Sequence, residues 1–196
     1  MAHPEGSQAV KVGVVLARQP DDLGEWLADG AAFEAAGAEA LWVDFAREPQ
    51  LDPLALTAAL AAVTFRSLLV TTLPASDGPA IARTLDTIEQ LSHGRLRILA
   101  DAIPSGVLAE IAPGREVFRR ISGDPEVFEH LREPDDAQRW VSVPSPDSRA
   151  TWREALRGAA ERGCGGLLVP AGPRLLDILR NPDDPGGRHD LQLAQG

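Results

Sequence analysis

Four times in its first hundred residues the chain passes from a short apolar run to an amphipathic stretch. That alternation restricts the fold more than any other feature. Val12 to Ala17 is continuously apolar, as in a strand buried on both faces. Asp21 or Asp22 can cap the helix that follows. Its inner face carries Leu23, Trp26, Leu27, Gly30 and Phe33, and Gly37 ends it. Ala40 to Asp44 reads as a second strand, Asp52-Pro53 as an N-cap and first-turn proline, and Ser67 to Thr72 as a third strand. Pro79 opens a further helix whose stripe is Ile81, Leu85, Ile88 and Leu91. Gly94 is its expected left-handed cap, and Arg95 to Ala100 is a fourth strand. Strands joined through helices pair in parallel. The pattern therefore predicts either a (β/α) barrel or an open doubly wound sheet. No G-x-G-x-x-G or Walker-type loop follows the first strand, which weakens the nucleotide-binding sheet.

The second half is more compressed. A Pro/Gly-punctuated connector contains Val107 to Ile111, which would add an eighth strand if extended. Val117 to Ile121 reads as a strand, and Ser122-Gly123-Asp124-Pro125-Glu126 as the turn into a short helix with Val127, Phe128 and Leu131 inward. Arg139 to Val143 is another strand, Asp147 to Arg162 a helix, Gly166 to Val169 the last strand and Pro173 to Arg180 the last helix. The expected organisation is one domain over 10–180, with a flexible tail over 1–9 and an irregular, Pro/Gly/Asp-rich tail over 181–196.

Composition excludes several classes. The 196 residues carry 19 Lys and Arg against 29 Asp and Glu, a net charge of -10, which argues against nucleic acid or an anionic membrane as partner. No apolar run approaches the ~20 residues of a membrane span, and Met1 to Ala9 lack the basic start and apolar centre of a secretory signal. The single cysteine, Cys164, admits no internal disulfide and fits a reducing, cytoplasmic setting, as a small buried thiol rather than a nucleophile. His3, His130 and His189 show no metal-ligand spacing, and His93, one residue before the cap glycine, reads as a helix C-terminal cation rather than a catalytic group. Trp26, Trp42, Trp140 and Trp152 read as core or interface anchors. A lyase or hydrolase barrel working by acid–base chemistry would need paired carboxylates and a base at strand ends, and none is apparent.

Several blocks resemble a known family. Gly37 to Val43 is similar to the pattern G-F-x-S-x-W-V, and Asp52 to Thr64 to D-P-L-x-x-L-A-A-L-A-A-x-T. Pro79 to Leu96 is similar to P-x-x-L-A-R-x-x-x-T-L-D-x-L-S-x-G-R-L, and Ile121 to Val127, more weakly, to G-T/D-P-E-x-V. These are patterns of the bacterial luciferase-like monooxygenases. The resemblance implies a TIM-barrel-like fold, FMN or a deazaflavin at the C-terminal mouth, and flavin-dependent oxidation of a small organic substrate. Members of that family are usually much longer, and the missing length falls between the fourth strand and the Gly123 loop. The resemblance therefore implies a barrel truncated or incomplete in its second half. Exposed strand edges would then favour a homodimer or pairing with a related barrel subunit.

Active sites on such barrels lie at the C-terminal strand ends. The candidates there are Asp44 and Arg18 for chemistry, and Thr71, Thr72, Ser122, Gly123 and Asp124 for the cofactor. Thr71 and Thr72 lie where the family places flavin-ring contacts. Backbone N–H groups at Gly123 and Asp124 would hold a phosphate if a helix starts there, while Asp124 could equally serve only as its cap. Asp44 and Arg18 are alternatively solvated strand-end charges. Two departures bear on activity: Phe45 stands where many members have His, and Leu99-Ala100-Asp101 replaces their G-x-G. Two readings follow, a compact flavin-dependent oxidoreductase or a non-catalytic flavin-binding or partner subunit of the same descent.

Overall fold

The computed structural model describes residues 9–17, 20–44, 51–73, 78–101, 103, 105–123, 125–131 and 137–182. The expected tails lie almost wholly outside these residues. The chain runs β1 (Lys11–Leu16), α1 (Leu23–Ala35), β2 (Ala40–Val43), α2 (Pro53–Val63), β3 (Leu68–Thr72), α3 (Gly78–Ser92), β4 (Leu96–Leu99), α4 (Ser105–Ile111) and β5 (Val117–Gly123). It continues with β6 (Glu126–Leu131), β7 (Ala137–Ser142), α5 (Arg149–Glu161), β8 (Gly166–Pro170) and α6 (Pro173–Arg180). The eight strands form a closed barrel in sequence order.

Local chemistry explains most of the elements. Asp22 accepts from the Glu25 N–H at 2.9 Å to start α1, and Asp52 from the Leu54 N–H at 2.7 Å to start α2 with Pro53 in its first turn. Ser148 and Thr151 form a reciprocal capping box at α5. On α3, Ile81, Leu85 and Ile88 are buried as expected, while Leu91 in the last turn is 47% exposed. The α3 stop differs in detail from the expectation. His93 (φ 52°) and Gly94 (φ 81°) both turn left-handed, with the Gly94 N–H on the Glu89 carbonyl and the His93 N–H on that of Gln90. That is a Schellman closure with His93, not Gly94, at the first left-handed position.

The second half corrects three expectations. Val107 to Ile111 belongs to α4, a helix, and not to a strand. No helix follows Gly123: Glu126–Leu131 is strand β6, antiparallel to both β5 and β7. Glu126, Phe128 and His130 share the inner face with polar groups among them, and Glu129 lies between Val127 and Leu131 on the outer face. Neither face is uniformly apolar, so period-two alternation was hidden, and Asp124-Pro125-Glu126 mimics a helix start. Finally, the barrel is not incomplete. The β5–β6 and β6–β7 connections need no crossover helix, β7 pairs parallel to β8, and β8 closes onto β1 through Lys11↔Gly166 to Val15↔Pro170. The ground for a dimer that covers open edges falls away with this closure.

The outer face of β5–β7 has no connecting helices of its own over these hairpins. Arg119, Glu129 and Arg139 stand opposite one another across the three strands, an alternating charge row suited to water. Ile121, 46% exposed, sits at the β5 bulge beside it.

Inside the barrel, Trp42, Phe118, Phe128 and Trp140 pack together with Val70, Leu99 and Leu168. Trp42 meets Phe118 edge-on at 4.6 Å between centroids and Phe128 at 5.2 Å. Two strand glycines make room for the indoles. A Cβ at Gly13 would lie 2.6 Å from Leu168 Cδ2 and 3.0 Å from Trp140 Cζ3, and one at Gly166 would overlap the Trp140 indole. At the N-terminal end, Glu116 pairs with Arg97 at 2.8 Å and His130 at 2.9 Å, and His130 stacks on Phe118.

A second polar network ties the helices together at that same end. The buried Glu34 carboxylate of α1 accepts from the backbone N–H groups of Phe65, Arg66 and Ser67 at 2.7–3.0 Å. Arg95 donates to the carbonyls of Thr64, Ser67 and Ser92 at 2.7–2.8 Å. Burial alone would raise the Glu34 pKa, but the three N–H donors outweigh it and hold the carboxyl below its ordinary value. Burial pushes the Arg95 guanidinium down, against the field of Glu34.

Gly166→Ala is expected to destabilise the fold by about 1–3 kcal/mol through overlap with Trp140. Trp140→Leu in the same chain should relieve most of that cost in a denaturation double-mutant cycle. Because the Glu34 pKa is depressed on folding, its stabilisation is full above the unfolded value and lost as pH falls through the folded one. Glu34→Gln should therefore cost about 2 kcal/mol at neutral pH in urea unfolding. The gap to the parent should close in acid; a gap independent of pH would refute the role given to the carboxylate.

Candidate functional site

The parallel strands β1–β5, β7 and β8 deliver their C-terminal ends to one mouth, and the β5–β6 turn joins it from the reversed strand. Among the described residues, a charged cluster lies over the barrel axis at the mouth. Arg120 projects inward from β5 and its guanidinium lies 5.4 Å from the Phe128 ring centroid. It is held by Asp101 after β4 (Nε to Oδ2, 2.8 Å) and by Glu126 at the start of β6 (Nη1 to Oε1, 2.8 Å). The Asp101 Oδ1 also accepts from the Arg120 backbone N–H at 2.8 Å. One planar cation over an aromatic face, bridged by two carboxylates, seals the aromatic interior.

A cavity of about 600 Å³ opens to one side of this cluster, between α1, α6 and the ends of β1, β2 and β8. Trp26, Phe33, Leu16, Leu176, Pro170 and Pro173 give it apolar walls, and Asp29 and Asp44 supply its carboxylates. The spacing Trp26, Asp29, Phe33 places all three on one face of α1. Asp44 follows β2 directly, its N–H donating to the Leu16 carbonyl at 2.9 Å, and the Ala171 N–H donates to the Val15 carbonyl at 2.8 Å. These bonds fix the strand ends that form the floor. Volume and composition match a small-molecule pocket, apolar with few polar groups.

The sequence-predicted residues fare unequally. Asp44 lines the cavity. Thr71 does not reach the mouth: it is buried on the outer face of β3, its hydroxyl on the Pro53 carbonyl at 3.4 Å and the Thr72 carbonyl at 3.2 Å. Thr72, half-buried, ends β3 with the inward parity of Val70. Ser122 and Gly123 close β5 within a hairpin, so the helix-start amide site expected at Gly123 and Asp124 has no helix to form it. Arg18, Phe45 and Asp124 lie outside the described residues. Asp29 and Arg120 were not singled out from sequence. Asp29 had a signal, its three-residue spacing from Trp26, but an exposed helix acid gives no hint that a cavity opens beside it. Cys164 is buried and free. Among the described residues no group of His, Cys, Asp or Glu is arranged for a metal ion, and no helix is long and apolar enough to cross a membrane.

No protein-family model matches the chain, and no curated protein matches it in sequence. Among solved structures it is similar to the monooxygenase RslO1 from Streptomyces bottropensis, at 17% identity and a TM-score of 0.38. The match covers 88% of this chain but 65% of that one, and a likeness this distant assigns neither fold family nor activity.

Arg120→Ala is expected to uncover Phe128 while costing only about 1 kcal/mol, since the side chain is 35% exposed and its ion pairs are partly screened. Acrylamide quenching of the interior indoles should rise; unchanged quenching would show that Arg120 does not seal the axis.

Proposed function

We propose that this chain is a small-molecule-binding barrel of luciferase-like descent that takes its ligand in the cavity between α1, α6 and the ends of β1, β2 and β8. The supporting observation is the contrast between that cavity, about 600 Å³ with mostly apolar walls, and an axis filled by aromatic side chains under Arg120. Descent rests on the sequence blocks at Gly37 to Val43, Asp52 to Thr64 and Pro79 to Leu96.

The family resemblance implies FMN or a deazaflavin, and FMN and the phosphorylated deazaflavins are anionic. The described lining holds Asp29 and Asp44 and no Lys, Arg or His, so a phosphate would meet two carboxylates and no cation among the described lining residues. Arg120, over the Phe128 ring, is engaged by Asp101 and Glu126. The described residues do not fit an anionic flavin, and the non-catalytic binding reading stands ahead of the flavin-dependent monooxygenase.

Titration with FMN and with a deazaflavin, followed by visible absorbance and cofactor fluorescence, is expected to give no saturable signal at high micromolar cofactor. Saturable binding, with reduction by a nicotinamide donor and turnover in air, would overturn this reading in favour of the oxidoreductase.

A further inference from the structure

We draw no further inference here: the strongest candidate, the open groove of about 550 Å³ along α5 walled by Val143, Pro144, Trp152 and Ala155, mixes those apolar walls with charges of both signs, Glu154 and Glu161 beside Arg157 and Arg162, and nothing in the structure shows what covers it.

Discussion

The fold depends on filling a closed barrel from within. Eight strands enclose a column that side chains must occupy, and here large aromatics from β2, β5, β6 and β7 do so. They fit because β1 and β8 yield space: Gly13 and Gly166 stand where any Cβ would strike Trp140 or Leu168. The column is closed by charge at both ends, Arg97–Glu116–His130 below and Asp101–Arg120–Glu126 above. The glycines of β1 and β8 and the indoles of the flanking strands β2 and β7 are a single packing solution.

Economy of chain follows from β6. Reversing one strand replaces two helical crossovers with two hairpins, so the barrel closes with helices on the remaining connections. The exposed β5–β7 face is made compatible with water by the row Arg119, Glu129, Arg139. The hairpin that starts at Gly123 carries Phe128 into the axis and sets Glu126 against Arg120.

The parallel half was legible because its strands are mostly apolar and its helices carry ordinary caps at Asp22 and Asp52 and an apolar stripe at Ile81, Leu85 and Ile88. The second half was not. β6 has polar groups on both faces, so neither period stands out, and its preceding Asp-Pro-Glu carries the chemistry of a helix start. At the site, Asp44 was visible as a strand-end acid. Asp29 and Arg120 were hidden for a different reason: a cavity and a cap exist only once α1, α6 and β5 are brought together. Thr71 shows the converse, a strand-end position correctly located whose side-chain parity points it to α2.

The most direct test of a filled axis is nuclear Overhauser contact within the barrel. Ring protons of Trp42 should show cross-peaks to both Phe118 and Phe128, those of Trp140 to Phe118, and the Arg120 side chain to Phe128. Facing residues of β5 and β6 should show the close Hα–Hα contacts of an antiparallel pair. Loss of the Trp42–Phe128 contact, or helical amide–amide contacts along Glu126–Leu131, would contradict a barrel closed through a reversed strand around an aromatic column.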